Sequence, residues 1–167
     1  MKNNRFGQAK VLNTPELDLL IKYLKTENQK VIASTLRNTG ARVGEVVQLK
    51  WRDIGKDQIL FPKTITKRKL KSREVFISGK FYKLLMNWRN AWTLSKGRSP
   101  LPEDYVFYGR KEGFHLTTRA VMLALESAFE RAKIFGASSH SFRRTQLTQL
   151  HRKQVPLNVI KSISGHQ

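Results

Sequence analysis

The sequence contains no cysteine. Disulfides, cysteine nucleophiles and thiolate metal sites are thereby excluded, and a reducing, cytoplasmic setting fits. No stretch approaches the ~18 consecutive apolar residues of a membrane-spanning helix. The N-terminal MKNNRFGQAKVLNTPE lacks the apolar centre of a secretory signal. Acidic residues are scarce, 12 Asp+Glu against 32 Lys+Arg. No carboxylate cluster accompanies the basic residues, so no metal and no cofactor are expected, and a metal-dependent nuclease is disfavoured. Internal repeats and low-complexity segments are absent too.

What remains is a basic chain with a core. Its 167 residues, 40% of them hydrophobic, suffice for one domain. The formal net charge of +20 and pI near 10.7 would repel the chain from itself unless a polyanion is bound. Nucleic acid is the expected partner, and a merely solvated basic surface is the plain alternative. An anionic membrane fits less well, because no basic amphipathic helix is left without other work.

Residues 1–13 are polar and basic and read as an arm or linker; residues 14–167 read as the domain. Thr14, Pro15 and Glu16 look like a helix start, with Thr14 as cap and Leu17, Leu20, Ile21 and Leu24 as its apolar stripe. A second helix is predicted over 29–38, ended by Gly40. Arg42 follows, above a short apolar face of Val43, Val46, Val47 and Leu49. Strands are predicted over 58–61, 63–67 and 73–77, joined by the basic run KRKLKS. Helices follow over 78–94, with Phe81, Leu84, Leu85, Trp88 and Trp92 on one face, and from Thr117 or Thr118 to about Lys133. The expected fold class is therefore α+β: mostly helical, with a small antiparallel three-stranded sheet.

The most informative stretch is SSHSFRRTQLTQLHRKQVPLNVIKSISGHQ, residues 138–167. It reads as a helix capped by Ser138 or Ser139 and a shorter one over 157–162, with Pro156 in its first turn and Gly165 at its end. His140 and Arg143 share a helix face, and His166 follows Gly165. Arginine offers a planar fork of donors and histidine exchanges a proton near neutral pH, so the group suits a phosphate. Singly, each residue could be an ordinary surface residue; the ordered set is harder to assign to chance.

HSFRRTQLTQL…VIKSISGH resembles the second conserved box of the tyrosine recombinases, the phage integrase family. TGARVGEVVQLKWRDI, Thr39 to Ile54, resembles the first, with Arg42 and Glu45 in its Arg-x-x-Glu pattern; the boxes lie roughly 100 residues apart, as in the family. The resemblance implies metal-free cleavage and rejoining of double-stranded DNA through a 3′-phosphotyrosine, as in site-specific recombination. It implies that Arg42 and Arg143 clamp the phosphate, His140 acts in acid–base chemistry and His166 hydrogen-bonds the phosphate. Glu45 would support its neighbours, or simply form a helix ion pair.

The family's catalytic lysine lies on the hairpin, here between Lys67 and Lys71. Arginine is a poor acid because its pKa stays above about 12, whereas an ammonium near about 10.4 can be lowered by neighbouring cations. Strand alternation places Lys67 and Lys69 on one face and Arg68 on the other. Lys67 is the first choice because it follows directly on Ile65 and Thr66 and its register best matches the family's lysine. Lys69 is the alternative because the tip departs from the family's glycine-containing turn. The plain alternative is that Lys67, Lys69 and Lys71 contact only the DNA backbone; Lys63, Arg68, Lys69, Lys71 and Arg144 are the candidates for DNA binding.

Two departures stand out. The family's tyrosine lies about nine residues past the final histidine, whereas Tyr23, Tyr82, Tyr105 and Tyr108 all precede the second box. The resemblance also implies an N-terminal helical domain, and the expectation is that this chain lacks it. The expectation is a catalytic domain without its C-terminal tail, inactive alone, from a cytoplasmic, nucleoid-associated protein that multimerises on DNA. A non-catalytic basic DNA-binding module of the same fold is the alternative, and a type IB topoisomerase relative a third, which the short spacing disfavours.

Overall fold

The computed structural model describes residues 7–67 and 71–165. Seven α-helices run in the order α1 (Thr14–Tyr23), α2 (Glu27–Thr39), α3 (Val43–Val46), α4 (Gly79–Lys96), α5 (Thr118–Arg131), α6 (His140–Arg152) and α7 (Leu157–Ser164). A 3₁₀ turn (Trp51–Asp53) and the strands β1 (Gln58–Phe61) and β2 (Arg73–Phe76) lie between α3 and α4. The class is mostly helical α+β.

Helix α2 is the axis of the domain. Residues Val31 to Leu36 are all buried, as expected of a helix covered on every side, and α2 packs against α1, α3, α4 and α6. The predicted stripe on α4 is core: Phe81, Leu85, Trp88 and Trp92 are buried. The indole N–H groups of Trp88 and Trp92 donate to the carbonyls of Val106 (2.9 Å) and Tyr105 (3.1 Å), so these large side chains bury no unmet donor.

Among the described residues the sheet has two strands, not the three expected. β1 and β2 pair antiparallel, with Gln58 opposite Phe76 and Phe61 opposite Arg73. The stretch 63–67, which alternates like a strand, is a turn. Pro62 cannot extend the ladder as a donor, and the Ile65 N–H returns to the Pro62 carbonyl. The Thr66 hydroxyl then lies against the carbonyls of Lys63 (3.0 Å) and Lys71 (3.3 Å).

Three caps also differ from expectation. Asn13, not Thr14, caps α1: its side chain accepts from the Glu16 N–H while Glu16 accepts from the Asn13 N–H, a reciprocal box that places Thr14 inside the first turn. At α6 no serine side chain caps the helix; Ser138 instead exchanges hydrogen bonds with Ser141. Pro156 is the cap of α7 rather than part of its first turn.

Gly40 ends α2 in the left-handed region, φ +63°, where α6 crosses closely. A Cβ there would meet the Gln146 side chain at 3.1 Å. Gly40→Ala should therefore cost about 1–2 kcal/mol from the backbone conformation alone, with the Gln146 crowding added. Urea denaturation reads this directly, and a variant as stable as the parent would show that the α2–α6 crossing is not tight.

Candidate active site

The site is built where the end of α2, the start of α3, β2, α6 and the end of α7 meet. Arg42 is the N-cap residue of α3, with extended backbone (φ −80°, ψ 150°). Val43, Val46, Val47 and Leu49 are buried beneath it, so its position is fixed by packing. Three residues on, the Glu45 carboxylate accepts from the Arg42 backbone N–H (2.9 Å) and from Arg42 Nη1 (3.2 Å).

A third arginine, not anticipated, completes the arrangement. Arg73 begins β2, whose residues alternate inward and outward, and it points inward with Val75. Its Nη1 and Nη2 donate to the two oxygens of Glu45, at 3.1 and 2.6 Å. The pair is buried, with side-chain exposures of 7% for Arg73 and 3% for Glu45. The Arg73 guanidinium lies 4.6 Å from the centre of the Phe61 ring. One signal could have revealed it: on a strand where Val75 faces the core, Arg73 must face it too, and a buried arginine requires a carboxylate.

Arg143 enters from α6. It donates through Nη1 to the Gly40 carbonyl (3.0 Å) and through Nη2 to the Ser164 carbonyl, strapping the ends of α2 and α7 together. Burial, then the charge of Arg42, lowers its pKa to about 10, with Arg73 adding to the effect and Glu45 opposing it. Burial would push the Glu45 carboxyl up. The Arg73 hydrogen bonds, the Arg42 N–H and the two guanidinium charges outweigh it and hold the carboxyl below its ordinary value.

Two guanidinium groups thus bond to one carboxylate and a third feels its charge, a surplus of two positive charges partly shielded from water. Electrostatics of this kind favour a bound anion, and a phosphate above all, because its oxygens match guanidinium donors.

Among the other expected residues, His140 opens α6 one turn before Arg143 and is exposed. Lys63, Lys67 and Lys71 are exposed in the β1–β2 connection. Lys67 is not on a strand, so the alternation that paired it with Lys69 does not operate. Arg68, Lys69 and His166 lie outside the described residues. Gly165, just before His166, is left-handed at φ +66°, and a Cβ there would lie 3.4 Å from Arg73 Nη1. Arg144 donates to the Ala9 carbonyl, which ties the N-terminal stretch to α6. The Leu12 N–H does the same through the Thr145 hydroxyl, at 2.8 Å.

Residues 10–167 match the phage integrase family. The chain belongs to that family. Among similar proteins, transposase A from transposon Tn554 of Staphylococcus aureus is 28% identical over 170 residues, covering 95% of this chain and 46% of that protein. Tyrosine recombinase XerH of Campylobacter jejuni is 28% identical over 144 residues, 84% of this chain and 38% of that protein. This integrase-family chain thus spans about half the length, or less, of these curated relatives.

Solved structures share the fold. The XerA recombinase superposes with a TM-score of 0.77 at 24% identity, over 94% of this chain and 56% of that one. The XerH recombinase bound to its difH substrate, a pre-cleavage complex, gives 0.72 at 22%, over 93% and 47%. Among the described residues, no helix is long and apolar enough to cross a membrane.

Proposed function

We propose that this integrase-family domain clamps a phosphodiester of double-stranded DNA between Arg42 and Arg143 and serves site-specific recombination by strand cleavage and rejoining. The observation that carries this reading is the guanidinium cluster itself. Arg42 and Arg143 come from segments about 100 residues apart in the sequence, share a partly desolvated position and retain a charge surplus after Glu45 is counted. Fixed donors of this kind stabilise charge as it develops on the nonbridging oxygens.

In the proposed step a tyrosine oxygen attacks phosphorus and the bond to the 5′-oxygen breaks. A 3′-phosphotyrosyl link forms, and the departing 5′-oxygen takes a proton from an acid, for which Lys67 is the first candidate and Lys69 the second. His140 is proposed for acid–base work beside Arg143, and His166 for a hydrogen bond to the phosphate. The 5′-hydroxyl of a second strand then reverses the step. Tyr108 stacks on Trp88, and its hydroxyl bonds to Ser95; Tyr105 packs edge-on against His115. The nucleophile is instead expected about nine residues past His166, on a polypeptide that assembles as a multimer on DNA.

The test uses a polypeptide extended through that tyrosine and a DNA with sulfur at the 5′-bridging position. A denaturation-resistant protein–DNA complex is expected. Thiolate leaves without a proton, so Lys67→Ala should be slow on ordinary DNA and restored on the sulfur substrate; rescue of Lys69→Ala instead moves the role to Lys69. If no covalent complex forms on either substrate, the domain is a non-catalytic DNA-binding module.

A further inference from the structure

We infer that Arg73 is a positioning residue that keeps the Arg42 guanidinium available to phosphate by occupying both oxygens of Glu45. The inference rests on the reading of Arg42 as a phosphate ligand. It starts from an inequality between two arginines that share one carboxylate. Arg73 holds Glu45 with a fork, one nitrogen to each oxygen. Arg42 reaches only Oε1, at 3.2 Å, where Arg73 Nη1 already sits, and its second contact with Glu45 is through the backbone. A carboxylate prefers the bidentate arrangement, and here Arg73 has taken it.

Burial separates the two in the same sense. The Arg73 side chain is 7% exposed and that of Arg42 is 29%. Arg73 is confined between the Phe61 ring and Gly165, and its buried Nε has no hydrogen-bond partner among the described residues. It is held for its grip on Glu45 rather than for contact with a ligand. With that grip loosened, Glu45 would remain buried beside Arg42 as its nearest cation. The Arg42 guanidinium would then close onto the carboxylate in the fork geometry and turn from the phosphate.

If Arg73 only neutralised Glu45, lysine would serve as well, because it carries the same charge. A positioning role needs the fork, which lysine lacks. The measurement is NMR of the arginine Nε–Hε resonances of this chain, with and without inorganic phosphate as probe. In ligand-free R73K the Arg42 resonance should move downfield, as its guanidinium takes up the freed oxygen. Phosphate affinity, read from the Arg42 and Arg143 resonances, should fall about five- to tenfold.

The double variant R73M/E45Q removes both charges, so it leaves no lone buried carboxylate, and should return the affinity to within about threefold of wild type. R73K with wild-type Arg42 resonance and wild-type affinity would overturn the inference, as would R73M/E45Q binding no better than R73K. If phosphate moves neither Arg42 nor Arg143 in the wild type, it is the phosphate reading that fails. The ligand-free R73K spectrum would still decide whether Arg73 positions Arg42.

Discussion

Glu45→Ala should lower the stability of this domain by about 3–5 kcal/mol, the cost of removing one partner of a buried ion pair. The alanine leaves Arg42, Arg73 and Arg143 near one another with no carboxylate between them. Arg73 suffers most, because it is almost fully buried and Glu45 accepts both of its terminal nitrogens. For a domain of this size each kcal/mol moves the melting temperature by roughly 2–4 °C, so a drop on the order of 10 °C is expected by circular dichroism.

The effect should depend on pH in a definite direction. The Glu45 carboxyl is held below its ordinary value of 4.5 in the folded state. A lowered carboxyl contributes stability above its unfolded value and loses it as pH falls through the folded one. The gap between wild type and Glu45→Ala should therefore be full at neutral pH and shrink below about 4.5. Asp53 acts oppositely: burial raises its carboxyl, so protonation relieves a cost there. Because Asp53 is present in both proteins, it cancels in the difference. A gap that stayed constant down to pH 3 would mean that Glu45 does not act through its charge.

Arg143→Lys should separate cleavage from binding in a polypeptide that carries the nucleophilic tyrosine. Loss of a preorganised donor to a developing oxyanion costs about 10²–10³ in rate. Lysine cannot reproduce a fork that meets the Gly40 and Ser164 carbonyls and also face a phosphate. Affinity for duplex DNA should change little, since the net charge of +20 is shared over many side chains. Its logarithm should still fall with the logarithm of salt by about 0.9 for each phosphate neutralised. Single-turnover cleavage and salt-dependent binding on the same DNA would check this. Parallel loss of both would place Arg143 in general DNA attachment, and unchanged cleavage would remove it from the chemistry.

Local chemistry was legible in the sequence at several helix ends and apolar faces, though not at the starts of α1, α6 and α7. Gly40 and Gly165 end helices because they tolerate the left-handed region. Of Thr117 and Thr118, between which the sequence left the cap of α5 open, Thr117 takes it, and the apolar stripes of α1 and α4 face the core. The surplus of lysine and arginine pointed to a polyanion before any coordinate. The Arg42–Glu45 pair was visible too, because three residues at a helix start are neighbours by helical geometry alone.

The partnership that organises the site was not legible. Arg73 and Glu45 lie 28 residues apart, and neither residue's local pattern points to the other. Pairing of β2 with β1, the inward register set by Val75 and the packing of α7 on β2 bring them together. The third strand failed for a related reason: alternation over 63–67 satisfied the local pattern, but among the described residues the stretch closes into a turn on the Pro62 carbonyl instead of a ladder. Sequence alone determined where helices stop, which faces are apolar and how much positive charge must be met. Tertiary structure decided which of the many cations share one carboxylate, because a buried charge takes its partner from whatever the fold places within hydrogen-bonding distance.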